Sequence, residues 1–436
     1  MTAERGNNLI QQYNITVGTS RNLYIVEGRR TPFCRMGTLL SQESAASLGI
    51  SATKSTLAET GISPSLIDEV IFGCVGQPAK EMNVARVIGV RSGIPESTPA
   101  VTIHRNCASG MEAVTYAHAK ALAGKGDIFL AGGTENMSQM PLLYKKSASE
   151  KFARLLRSKS VSQKIKTLLQ FRPSDFLPRV SLRMGLEDPL SGLNMGETAE
   201  LLSREFSISR KEQDFFAFLS HEKAILAEPK LAEEIAPIYT NNNNCVGSPD
   251  GRFVERDNGP RKDCTTQKLS TLSAIFDKKE GTVTAGNASQ ITDGAVSILL
   301  MTEKGLEKTG CSPIARIVDY AYSGCSPDRM GLGPYFAINK LGINVKSMDL
   351  IEINEAFAAQ VLACKKLIGR KHVEIPDEKL NVNGGSVALG HPVGASGARL
   401  ILTLSKELKR RNLTRGVASL CVGGGQGAAI HIETCK

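Results

Sequence analysis

Two cysteines and a histidine stand in runs of small residues that would let backbone pass close to a ligand. Cys107 opens Cys107-Ala108-Ser109-Gly110, just after the apolar stretch Val101-Thr102-Ile103. His391 lies in Gly390-His391-Pro392-Val393-Gly394-Ala395-Ser396-Gly397, downstream of Asn381-Val382-Asn383-Gly384-Gly385-Ser386. Cys421 begins Cys421-Val422-Gly423-Gly424-Gly425-Gln426-Gly427. Glycine at this density permits tight turns and lets amide N–H groups face inward. An ionised thiol is a nucleophile, an imidazole is a base near neutral pH, and a second thiol can carry a proton. Asn354, in Asn354-Glu355-Ala356-Phe357, is a fourth polar group at the end of an apolar run. Each also has a structural reading: glycine runs mark turns, a buried cysteine is a small hydrophobe, and an asparagine at a helix start is a cap.

The elements around these residues separate them from the rest. Val101–Ile103 reads as a strand and Met111 to Leu122 as a helix closing at Gly124, so Cys107 falls where a strand hands over to a helix N-terminus. The partial positive charge there stabilises a thiolate. Asp127 to Ala131 reads as a buried strand, with Gly132-Gly133-Thr134-Glu135 as its turn. The chain's end repeats the plan: Ala395-Ser396-Gly397 opens a helix from Ala398 to Arg410, and Gly416 to Leu420 is a strand running into Cys421. That repetition predicts two similar halves with loops at corresponding strand ends. Elsewhere, Asn22–Glu27 and Asp68–Gly73 read as strands, Glu43–Thr60 and Asn83–Gly93 as helices, and Arg30–Phe33 as a loop. Residues 1–21 read as an arm. Gly281–Ser289 is a turn-rich run, Ile314–Tyr322 a strand, and Asp349–Ile353 a strand leading through Asn354 into a helix to about Leu367. Strand–helix alternation of this kind predicts a layered α/β protein.

With 436 residues, 41% of them hydrophobic and 22% charged, the chain can bury a large core and form more than one domain. No apolar run reaches membrane-spanning length, and the polar start lacks a signal peptide's apolar stretch. Ten cysteines with no CxxC pair argue against a disulfide framework and for reduced thiols, hence a cytoplasmic location. The net charge of +10 is concentrated: Lys145 to Arg183 holds eleven Lys or Arg against Glu150 and Asp175. Phe152, Leu155 and Leu156, then Val161, Ile165, Leu168 and Leu169, recur there at helical spacing. This stretch is either a solvated helix pair packed on its own protein or a basic amphipathic face for an anionic membrane or a partner subunit. Asn194–Leu202 and Arg210–Leu226 read as further helices, and Asn241–Asn244 begins a loop-rich region.

Taken together, Cys107-Ala108-Ser109-Gly110, Asn354-Glu355-Ala356-Phe357, Gly390-His391-Pro392 with Gly394–Gly397, and Cys421–Gly425 resemble the signatures of the thiolases. Arg30-Thr31-Pro32-Phe33, Ala131-Gly132-Gly133, Met195–Glu200 and Thr284–Ser289 match in family order, and the likeness runs from about Asn22 to Glu433. It implies a thiolase fold, α/β, with two duplicated βαβαβαββ halves in five layers. The segments are then an N-terminal half at 22–138 completed by 281–310, an inserted loop domain at 139–280 with its basic segment at 145–183, and a C-terminal half at 311–436. A homodimer or tetramer is implied, with coenzyme A as co-substrate, no permanently bound cofactor, no metal and no nucleic acid.

By the same resemblance Cys107 attacks the 3-keto carbon of an acyl-CoA, and His391 handles its proton. Cys421 protonates the departing enolate and then deprotonates incoming coenzyme A. His391 and a water held by Asn354 form one oxyanion site, and the amides of Cys107 and Gly423 form the other. Ser289, Met195, Met330 and Phe357 match positions lining the coenzyme A or acyl pocket. Leu272-Ser273-Ala274-Ile275-Phe276 departs from the Arg-Pro-Ala-Phe run of many thiolases. The basic insert resembles the loop of the thiolase subunit in trifunctional fatty-acid oxidation complexes, which faces a membrane or the hydratase–dehydrogenase subunit. The expectation is a degradative 3-ketoacyl-CoA thiolase peripheral to a membrane. Asn354, where that subgroup usually has His, favours the runner-up, an acetoacetyl-CoA thiolase. Cys421 argues against a decarboxylating condensing enzyme, and the complete Cys107–His391–Cys421 set against a non-catalytic lipid-binding protein.

Overall fold

A computed structural model describes residues 21–240 and 253–435. The arm expected at residues 1–21, apart from Arg21, and the loop start at Asn241–Asn244 lie outside the described residues. In chain order the principal strands are β1 (Leu23–Arg30), β2 (Glu69–Gly73), β3 (Ala100–Ile103), β4 (Ile128–Glu135), β5 (Thr292–Met301), β6 (Ala315–Gly324), β7 (Leu350–Ile353), β8 (Arg415–Val422) and β9 (Gln426–Thr434). They form one sheet ordered β7-β8-β9-β6-β1-β5-β4-β2-β3, to which the short strand Cys34–Arg35 adds on β5. β2 is parallel to β3 and β4, and β7 to β8; the other pairings are antiparallel. β1 and β6 join the halves, with Leu23 opposite Ile317 and Ile25 opposite Ala315.

The main helices are α1 (Ala45–Thr60), α2 (Val84–Arg91), α3 (Ser109–Leu122), α4 (Lys146–Arg157), α5 (Val161–Leu168), α6 (Met195–Glu205), α7 (Arg210–Leu226), α8 (Gly333–Leu341), α9 (Ala358–Lys371) and α10 (Val393–Arg410). The alternation of side chains along a strand divides the core between them. Ile71, Phe129, Ala131, Val296 and Ile298 face a cluster shared with α3 and α10. Their neighbours Val70, Phe72, Ile128, Leu130 and Leu299 face α1 and α2. In the second half Ala418, Leu420, Ile430 and Ile432 face the same central helices, while Val417, Ala429 and Ile351 face α8 and α9. The continuous sheet therefore folds round α3 and α10, its two halves lying on opposite sides of them, and the result is five layers, helix–sheet–helix–sheet–helix. α10 is buried almost all round, and its two buried charges are paired, Arg399 with Glu352 at 3.3 Å and Glu407 with Arg411 at 2.6 Å.

Small residues set how closely the central helices approach. A Cβ on Gly110 would stand 2.8 Å from the Gly394 carbonyl oxygen, and one on Gly397 would stand 2.6 Å from the Met111 nitrogen. The repeated Ala-Ser-Gly runs thus face one another at the helix crossing.

Three expectations need correction. Gly132–Glu135 is not a turn but the end of β4: a Cβ on Gly133 would come 2.0 Å from the Gly394 oxygen, so this glycine makes room for the start of α10. α10 begins at Val393, not Ala398, because Pro392 fixes the residue before its first turn in an extended conformation. The second half does not carry a full third strand; only a parallel bridge between Ile351 and Leu380 remains.

Between β4 and β5 the chain leaves the sheet for the insert. α4 and α5 pack on a knot of rings in which Phe152 lies 4.8 Å from Phe171 and 5.2 Å from Tyr144, centroid to centroid. Lys151 pairs with Asp175 at 2.7 Å beneath it. The helix pair packs on its own protein through these rings, while Leu156 and Leu169 are 87% and 81% exposed, with Val161, Ile165 and Leu168 exposed beside them.

Candidate active site

The nucleophile turn is built by its own backbone. The Ala108 amide donates to the Arg105 carbonyl at 2.9 Å, closing a turn in which Asn106 takes a left-handed φ of 43°. Ser109 then starts α3, its hydroxyl donating to the Asn106 carbonyl at 2.7 Å and accepting the Arg105 amide at 2.8 Å. Cys107 is thereby held at the mouth of α3, half-buried. Burial pushes its pKa up to about 11, although the amides of Gly423 and of Cys107 itself donate to the sulfur and pull the other way. At neutral pH it rests as a thiol.

His391 is fixed from both sides. Its amide donates to the Gln290 carbonyl at 2.9 Å, and Nδ1 lies 2.6 Å from the Ser396 Oγ. The Ser396 hydroxyl gives its own proton to the Pro392 carbonyl at 2.9 Å, so Nδ1 is the donor and Nε2 keeps its lone pair. Nε2 is buried with no hydrogen-bond partner among the described residues. Burial, and then the charge of Arg399, lower the pKa of His391 to about 4, which keeps it a neutral base across the physiological range.

Asn354 follows β7. Its amide donates to the Ser419 carbonyl at 2.9 Å, and its Oδ1 accepts the Ser386 hydroxyl at 2.6 Å. Its Nδ2 has no partner among the described residues. It does not cap a helix: Phe357 holds that place for α9. Cys421 is buried one residue before the end of β8, its thiol pushed well up first by burial and then by Cys107 and other nearby thiols. Gly423-Gly424-Gly425 then reverses the chain into β9, with φ of 88° at Gly424 and 79° at Gly425. A Cβ on Gly425 would also meet the Cys325 carbonyl at 2.4 Å.

The pocket-lining expectations meet in one apolar cluster, where Met330, Phe357 and Met195 pack with Cys421, Phe276 and Val283. Ser289 is half-buried beside it, its amide donating to the Ala356 carbonyl at 2.9 Å. Leading outward from Gln290 and Val387 is a groove of adjoining cavities lined by Arg261, Lys268, His221 and Lys262.

The sequence alone does not single out Glu135. Its fully buried carboxylate accepts the amides of Gly76 at 2.7 Å, Gly394 at 2.8 Å and Val75 at 3.1 Å. Burial raises its pKa to about 7 against the pull of those amides. A carboxylate ending an otherwise apolar strand was the available signal. Arg105 also escaped notice. It pairs with Glu112 at 2.7 Å, reaches Gln426 at 3.2 Å and lies 4.3 Å from the centre of the Tyr322 ring.

The arrangement offers a nucleophilic sulfur met by two amides, a neutral imidazole with a free nitrogen, and a second buried thiol. Comparison with known proteins agrees in extent and kind. The family profile "Thiolase, N-terminal domain" matches residues 23–304, and "Thiolase, C-terminal domain" matches residues 311–434. A probable acetyl-CoA acyltransferase of Staphylococcus epidermidis is 38% identical over 417 residues, covering 94% of this chain and 98% of the relative. An acetyl-CoA acetyltransferase of Chromobacterium violaceum is 38% identical over 415 residues, covering 94% and 98%. The crystal structure of human mitochondrial 3-ketoacyl-CoA thiolase in complex with CoA is similar with a TM-score of 0.83 at 35% identity, covering 95% of this chain and 98% of that one. With two-half architecture, site and matches in agreement, the chain belongs to the thiolase family of acyltransferases.

Proposed function

We propose that the chain is a degradative 3-ketoacyl-CoA thiolase, cleaving 3-ketoacyl-CoA with coenzyme A to acetyl-CoA and a shortened acyl-CoA. The observation that carries the reading is the convergence of the Gly423 and Cys107 amides on a sulfur that has a second buried thiol, Cys421, beside it, in a chain that also buries the neutral, unpartnered His391 Nε2. In the reaction, His391 Nε2 takes the Cys107 proton and the thiolate attacks the 3-keto carbon, whose oxygen turns to the two amides. The C2–C3 bond then breaks. The electron pair forms the enolate of acetyl-CoA, its oxygen facing His391 and a water held by Asn354 Nδ2, and Cys421 donates its proton to C2. The Cys421 thiolate left behind deprotonates coenzyme A, which attacks the acyl-Cys107 thioester and releases the shortened acyl-CoA. The Cys107 thiolate recovers its proton from His391. Burial of both cysteines suits this sequence, since each must begin as a thiol.

Arg261, Lys262 and Lys268 line the groove toward the site and supply positive charge for the nucleotide phosphates. Ser289, Met195, Met330 and Phe357 bound the pantetheine and acyl end. β3 is a sheet edge directly before the nucleophile turn, half-exposed throughout, and a second copy of the chain pairs along it. The exposed leucines of α4 and α5, ringed by lysine and arginine, dock on an anionic lipid surface. No described helix is long and apolar enough to cross a membrane, so this contact is peripheral.

Asn354 and the acetyltransferase names of several relatives favour a second reading, an acetoacetyl-CoA thiolase. Coenzyme A-dependent cleavage of acetoacetyl-CoA and of 3-ketohexadecanoyl-CoA, compared as kcat/KM, separates the two. Preference for the long chain supports the first reading, preference for acetoacetyl-CoA replaces it with the second, and no cleavage of either overturns both.

A further inference from the structure

Asn106 immediately precedes the nucleophile and combines two unusual properties. Its φ of 43° is a left-handed conformation that asparagine tolerates better than most residues. Its Nδ2 donates at 2.8 Å to the Gly423 carbonyl oxygen, 317 positions along the chain. On the strand side, Val422 is held by its pairing with Gln426 in the β8–β9 hairpin. Beyond it, the Gly423-Gly424-Gly425 run has no side chains, and its far end is held by the Cys325 amide donating to the Gly425 carbonyl at 2.7 Å. The Asn106 bond is the contact that fixes Gly423 from the nucleophile's side, and the same residue's backbone orients the peptide preceding Cys107.

We propose that Asn106 is a positioning residue that sets the two oxyanion-binding amides at once, turning the Cys107 amide inward through its left-handed backbone and clamping Gly423 through its side chain. The clamp joins the two halves at the point where they must cooperate. A glycine loop free to move would dilute the oriented-amide geometry on which such sites depend. This inference rests on the thiolase reading for its kinetic arm and stands apart from it in its chemical arm.

The test compares Asn106→Gly, which keeps the left-handed backbone and removes the clamp, with Asn106→Asp, which keeps the size and sets an acceptor against the Gly423 carbonyl. kcat and KM for 3-ketoacyl-CoA cleavage are measured beside the pH profile of iodoacetamide alkylation at Cys107. Asn106→Gly is expected to lower kcat roughly tenfold with little change in KM, as expected for loss of oriented transition-state contacts, and Asn106→Asp to lower it further. Both should move the alkylation profile to higher pH, because the Gly423 N–H bond to the sulfur weakens. A wild-type alkylation profile in Asn106→Gly overturns the proposal, whatever happens to kcat. If the wild-type protein cleaves no 3-ketoacyl-CoA, the functional reading fails, and the alkylation profiles still decide the role of Asn106.

Discussion

The Glu135 carboxylate accepts the Gly394 amide at 2.8 Å, a bond across 259 residues that ties the end of β4 to the first turn of α10. Two more amides, of Gly76 and Val75, bind the same group, so one buried side chain holds two backbone segments, Val75–Gly76 and the start of α10, to the end of β4. His391 lies three residues before Gly394, and its place depends on where α10 starts. Glu135 is thus a scaffold carboxylate at the join between the halves.

Replacing Glu135 by Gln sets an NH2 group against one of those amides and is expected to cost about 1–3 kcal/mol of stability. The sign with pH follows from its pKa, raised to about 7. The folded state binds a proton that the unfolded chain releases near pH 4.3, so this contribution is complete below that value and is lost as pH rises through about 7. Urea unfolding at pH 5 and pH 8 should therefore show the gap between wild type and Glu135→Gln narrowing toward pH 8. A gap that widens would mean the carboxylate is held ionised.

The helix crossing gives a packing prediction. Gly110→Ala places a methyl 2.8 Å from the Gly394 oxygen, against backbone that cannot step aside. A loss of about 1–3 kcal/mol is expected, together with reduced activity as α10 shifts. Gly185→Ala, which meets nothing within 4 Å, serves as control and should stay within about 0.5 kcal/mol of wild type. Equal melting temperatures for the two variants would remove the close-approach explanation for the Ala-Ser-Gly runs.

His391 carries the pH prediction for catalysis. Its pKa of about 4 lies below the ordinary histidine value near 6.5, so its neutral form, complete above pH 6.5, persists until pH falls toward 4. The kcat/KM profile, which reports the free enzyme, should show no loss assignable to His391 between pH 7 and pH 5. An acidic limb near 6.5 that disappears in His391→Asn would contradict the burial argument.

For the insert, Lys159→Glu, Lys164→Glu and Lys166→Glu reverse three exposed charges on and beside α5. At about 1 kcal/mol for each lysine near an anionic surface, binding to phosphatidylserine vesicles should fall by on the order of 100-fold. Cleavage of a soluble short-chain substrate should be unchanged. Undiminished sedimentation with the vesicles would leave the exposed leucines without a lipid role.

How much of this was legible in the residues depended on whether the cause was local. Cys107, His391 and Cys421 stood out because the small-residue runs around them are contiguous in sequence. The meaning of Gly133 was hidden, since a glycine pair after a strand reads as a turn until the α10 backbone is placed against it. Glu135 and Asn106 were invisible for the same reason: their partners, Gly394 and Gly423, are supplied by the other half of the fold. The two halves were foreseen from the repeated plan. The reduction of the second half's third strand to one bridge at Leu380 was not, because no short run advertises a strand that fails to form.

The most direct measurement is intact-protein and peptide mass spectrometry after mixing with a 3-ketoacyl-CoA in the absence of free coenzyme A. The account predicts an added acyl group two carbons shorter than the substrate's acyl chain, on the peptide containing Cys107, released by coenzyme A and absent in Cys107→Ala. An acyl group on Cys421 or elsewhere, or turnover that survives Cys107→Ala, would contradict it.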